Sequence, residues 1–101
     1  MAKYDITESL RRVLENNGIP ECCYSIGKYK IGATCIEKIE TGWTVYYAGR
    51  SEKFNKKEYE RSIDAARELI SRITVSKELE AELQDDFNND VIFAVIDLGI
   101  I

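Results

Sequence analysis

The chain contains no histidine, and that absence removes the commonest general base near neutral pH. Ser-His-Asp and Cys-His arrangements go with it. No GxxxxGKS/T or GxGxxG loop is present to cradle phosphates, and no Asp-x-Asp-x-Asp-Gly loop to hold calcium. Cysteine is scarce: Cys22 and Cys23 are adjacent and Cys35 stands alone, an odd count that excludes a fully paired set of disulfides. With no CxxC spacing and no histidine, a zinc site would lack its usual fourth ligand. The cysteines read as small reduced hydrophobes in strands, and neither metal nor cofactor is expected. Long apolar runs are missing too. The longest, Val91 to Ile96, is far short of the ~20 residues that span a bilayer. The opening Met-Ala-Lys-Tyr-Asp lacks the apolar stretch of a secretory signal, so the expected compartment is the cytoplasm.

What is present describes one small globular domain: 101 residues, 45% hydrophobic and 32% charged. Eighteen acidic residues supply candidate carboxylates for acid–base work, but no spacing marks two of them as a pair. Catalysis therefore has no support in the sequence, and binding becomes the expected mode of action.

The order of elements follows from periodicity. Asp5 with Glu8 three residues later predicts a helix start, and Ile6, Leu10, Val13 and Leu14 share one face. Gly18 and Pro20 end that helix. Strands are predicted over Glu21–Gly27, Ile31–Ile39 and Trp43–Gly49, with turns at Gly27-Lys28 and Thr41-Gly42 and a short charged fourth strand over Phe54–Tyr59. A second helix runs from a Ser62 cap to Ile73, with Ile63, Ala66, Leu69, Ile70 and Ile73 as its stripe. Ser76 caps a third helix that is expected to end near Phe87, because Asn88-Asn89-Asp90 is a break signal. The Val- and Ile-rich segment after it reads as a buried strand. The order α-βββ(β)-αα-β gives an α+β, two-layer domain: a largely antiparallel sheet of three to five strands with about three helices against it.

The formal net charge of −4 is unevenly spread. Residues 76–101 carry Lys77 against seven carboxylates, Glu78, Glu80, Glu82, Asp85, Asp86, Asp90 and Asp97, while the preceding part is slightly basic. A field of that sign repels nucleic acid and anionic membranes and attracts basic proteins. Aromatic residues crowd the middle. By strand alternation Trp43 belongs to the core side, and Tyr46, on the opposite side, is expected as an exposed contact. An aromatic sheet face can stack RNA, but the RNP signature is missing and the charge opposes it.

The stretch Tyr24–Ile73 carries Tyr24-Ser25-Ile26-Gly27, Ala33-Thr34-Cys35-Ile36-Glu37-Lys38, Gly42-Trp43-Thr44-Val45-Tyr46-Tyr47, Gly49-Arg50, Phe54 and the Ala-rich Asp64-Ala65-Ala66-Arg67-Glu68-Leu69-Ile70. It resembles the small immunity proteins of bacterial polymorphic-toxin and contact-dependent inhibition systems. The resemblance implies a cytosolic α+β domain that binds the C-terminal domain of a cognate toxin and occludes its active site or substrate groove. A nuclease groove would be basic, and the acidic run Glu78 to Asp90 would enter it in place of phosphate. Tyr46, Tyr47 and Arg50 are expected as secondary anchors. The alternative is a homodimer or larger homo-oligomer whose apolar C-terminal segment adds an edge strand across a two-fold axis.

Overall fold

Helix α1 spans Ile6–Asn16 in the computed structural model, which describes residues 6–97 and, within them, side chains as far as Phe93. Asp5, the expected cap, lies outside the described residues. Leu10, Val13 and Leu14 are buried on the stripe their spacing requires. Gly18 then takes φ 71° and closes the helix with a paired motif: its N–H donates to Glu15 O (3.1 Å) and that of Ile19 to Leu14 O (3.0 Å).

Behind Pro20 the chain makes a short 3-10 turn, Glu21–Cys23, where a strand was expected. Only Tyr24–Ile26 (β1) is extended. Cys22 and Cys23 therefore sit in a turn, whereas Cys35 is buried in a strand; none of the three is in a disulfide. Strand β2 is Thr34–Ile39, shorter than the expected Ile31–Ile39 because residues 31–33 belong to the preceding turn. Strands β3 (Gly42–Ala48) and β4 (Lys53–Tyr59) complete a sheet in the order β1-β2-β3-β4. β1 and β2 pair in parallel, Tyr24 opposite Thr34, across a connection too short for a helix. The other pairs are antiparallel.

The β2–β3 hairpin is tight, with Ile39 opposite Gly42. Gly42 has φ 151°, and a Cβ there would lie 2.1 Å from the backbone oxygen of Tyr59, so no side chain fits. Between β3 and β4 the register slips: Tyr47 faces Phe54 but Val45 faces Lys57, leaving Asn55 and Lys56 opposite Tyr46 alone. Asn55 takes φ 53° in this bulge, a conformation that Asn tolerates better than most residues.

Helix α2 is Ser62–Ile73, and the residue flanking its start is Arg61 in extended conformation, with no side-chain cap; the Ser62 cap is corrected by one position. α2 lies directly on β2 and β3, burying Ala65, Ala66, Leu69 and Ile70. Helix α3, Lys77–Asp97, begins as its cap predicts: the Leu79 N–H donates to Ser76 Oγ at 3.1 Å. It then runs for 21 residues, through Asn88-Asn89-Asp90 and the segment expected as a strand. Tertiary contacts explain the correction. Asn88 Oδ1 accepts from Arg67 (2.6 Å), Asp90 pairs with Arg12, and Val91 packs on the core one helical step beyond Phe87. α3 takes its main contacts from α1 and then α2.

One apolar cluster joins Leu10, Val13 and Leu14 to Ile36, Val45, Leu69, Ile70, Leu83 and Phe87, with Trp43 and Tyr59 at its margin. A second, small cluster of Cys35, Tyr46 and Ala48 lies on the far side of the sheet. The result is α+β, with three helices and a four-stranded mixed sheet among the described residues. None of the described helices is long and apolar enough to cross a membrane.

Candidate protein-binding site

The carboxylates of α3 fall into two groups by helical position. Asp86 and Asp90 turn toward α1. Asp86 Oδ2 accepts from Asn17 Nδ2 at 3.0 Å, and Asp90 receives both Nε (3.2 Å) and Nη2 (2.6 Å) of Arg12. Those hydrogen bonds hold the Asp90 carboxyl below the usual carboxylate range, against the opposing effect of its partial burial. Glu78, Glu82 and Asp85 lie three and four residues apart, so they share the outward stripe and are exposed. They make no hydrogen bond or ion pair among the described residues. Glu80 is half-buried, between the two groups. The outward stripe leads toward Ile92 and Phe93, which are 52% and 69% exposed. Of the acidic run expected as one surface, the structure thus leaves Glu78, Glu82 and Asp85 facing solvent and uses Asp86 and Asp90 to fasten α3 to α1.

Tyr46 is not the exposed contact that strand alternation predicted. It does lie on the sheet face away from the helices, but it is fully buried there. The connection from β1 to β2 returns over that face and stacks the Tyr29 ring on Tyr46, centroids 5.8 Å apart. The Tyr29 hydroxyl donates to the Gly49 carbonyl, with the Glu52 carbonyl 3.1 Å away. Lys53 Nζ sits 4.5 Å from the centre of the Tyr46 ring and 3.8 Å from Glu37. The Tyr46 hydroxyl donates to Glu37 Oε2. Burial first, and then that bond to Glu37, push the Tyr46 hydroxyl far above its ordinary range.

Tyr47 and Arg50 are exposed, at the end of β3 and in the turn that follows. They belong to the sheet, whereas α3 packs on α1 and α2, so the structure does not gather aromatic, arginine and carboxylates into one cluster.

A second feature escaped sequence reasoning. Beside the bulge, Thr34, Tyr47, Asn55, Lys56, Lys57, Glu68 and Arg72 line an open cleft. Its inner wall is Arg72, which donates to Glu68 Oε2 (2.7 Å), Asn55 O (2.6 Å) and Val45 O (3.4 Å). Burial pushes the nearby Tyr59 hydroxyl up and Glu68 adds to the rise, while Arg72 opposes it. The only hint in the sequence is Lys56-Lys57 following an Asn able to take positive φ, and such a pattern does not reveal a cleft.

Comparison with protein-family models, curated proteins and solved structures finds no match to this chain.

Proposed function

We propose that this protein works by binding, as a cytoplasmic immunity protein that covers the active site or substrate groove of a cognate toxin domain. The observation that carries the reading is the outward stripe of α3. Glu78, Glu82 and Asp85 project from a rigid helix without internal partners among the described residues, next to the exposed apolar pair Ile92 and Phe93. Charges left unpaired on a fixed scaffold steer a basic partner, and neighbouring apolar side chains supply the area that is desolvated on docking. The residues that carry the resemblance lie in β1, β2, β3, the Phe54 position of β4, and α2.

The test is co-expression with the product of the adjacent reading frame. A one-to-one complex that suppresses the neighbour's toxicity is expected. Glu82→Lys with Asp85→Lys should slow association by roughly tenfold at low salt, and far less at high salt, where steering is screened. An unchanged on-rate at low salt sinks the role of α3. No complex with the wild-type chain, and toxicity left intact, sinks the immunity reading.

A further inference from the structure

We propose that the cleft between β4 and α2 binds a small molecule that joins an oxyanion, phosphate or carboxylate, to a flat apolar group. The proposal goes beyond the protein-binding role and does not depend on it. The volume of the cleft, about 530 Å³, lies within the range of small-molecule sites.

Its chemistry is that of a donor-lined recess. Thr34 is only 8% exposed, yet its hydroxyl makes no hydrogen bond among the described residues. Thr34 lines the open cleft, so this hydroxyl can donate to an acceptor bound there. Lys57 stands on the same sheet face as Val45, its cross-strand neighbour, and its ammonium has no ion pair among the described residues. Lys56 pairs only with exposed Glu58, at 3.4 Å. Glu68, the sole carboxylate of the lining, is neutralised by Arg72 at 2.7 Å. The field left over is positive, in a protein whose net charge is negative.

Position is as important as charge. Arg72 is 17% exposed and held by three acceptors, so the inner wall of the cleft is fixed before any ligand arrives, and Lys57 supplies the free charge. The bulge lifts Asn55 and Lys56 out of the regular ladder, which gives the cleft its depth beside the sheet edge. Tyr47, 44% exposed and directly opposite Thr34, supplies a flat ring next to the donors. Oxyanion and apolar group are thus both provided for.

Titration of the isotope-labelled full chain with phenyl phosphate, benzoate and inorganic phosphate, at constant ionic strength, tests the proposal by amide shifts. Saturable shifts centred on Thr34, Tyr47, Asn55 and Lys57 are expected for the two aromatic anions, the tighter of the two identifying the oxyanion. Inorganic phosphate, which cannot use Tyr47, should bind about fivefold more weakly than phenyl phosphate. Lys57→Gln is a change at an exposed position, and Thr34→Val keeps the shape of the strand residue; each should weaken binding about fivefold or more. Shifts that rise linearly and spread over Lys28 and Lys38 as well overturn the proposal. So does equal affinity in both variants and wild type, or inorganic phosphate binding as tightly as phenyl phosphate.

Discussion

Tyr46 is a large side chain on a face that the helices never reach, and it is buried all the same. Its hydroxyl finds Glu37, a carboxylate still in touch with water, so the burial leaves no orphaned donor. Tyr46→Phe should cost about 1 kcal/mol in urea unfolding, the net worth of one such bond. The pH dependence has a definite sign. Tyr24, Tyr46 and Tyr59 all have raised pKa values in the folded protein, because burial disfavours the phenolate. Their contribution is fully present below the unfolded tyrosine value of about 10 and is lost as pH rises beyond it. Urea midpoints measured from pH 8 to 11 should fall above pH 10, and less steeply for Tyr46→Phe. A parallel fall in both proteins would contradict this account. Asn55 and Arg72 make a second residue-level case. Asn55→Gly should be nearly neutral, whereas Asn55→Val, which strains the positive φ, should cost about 1–2 kcal/mol. Arg72→Met should cost about 2 kcal/mol through three lost hydrogen bonds at a half-buried site.

Helix α3 shows how much of an element can be read in advance. Its start was legible, since Ser76 caps it as expected. So was its apolar seam of Leu79, Leu83 and Phe87. Its end was not, because Asn-Asn-Asp carries a local preference for stopping that packing overrides. The overriding signal was nonetheless present: Val91 continues the spacing of four beyond Phe87 and joins the same core. Phe87→Ala should therefore cost about 3–5 kcal/mol by chemical unfolding. Asp90→Asn should cost under about 1 kcal/mol, since Arg12 is half exposed. Because the Asp90 pKa is depressed in the fold, its contribution is present above about pH 4 and disappears as pH falls below that value. A wild-type-minus-variant difference that persists at pH 2 would argue against the ion pair.

For the molecule as a whole, the α+β class and the element order up to α3 followed from periodicity, capping and turn residues, because those signals are local. The parallel pairing of β1 did not, as three extended residues carry no register information. Alternation placed Tyr46 on the correct face but could not foresee Tyr29 returning over it, a contact made by tertiary geometry alone. The candidate surfaces divide in the same way. The charge bias of the last quarter was visible as composition, but its division into fastening and outward carboxylates needed the positions of Asn17 and Arg12. The cleft arises from one bulged residue and one arginine far apart in the chain, so nothing local announced it.

The pairing of α1 with α3 has a consequence for how the protein is made. Leu10, Val13 and Leu14 are among the first core residues to leave the ribosome, and their partners Leu83 and Phe87 are among the last. Until α3 emerges, the nascent chain can assemble the sheet and α2 from near neighbours and set α1 against α2, but the side of α1 that meets α3 stays uncovered. The α1–α3 contact, in which Arg12 meets Asp90, is therefore the part of the core that synthesis makes available last.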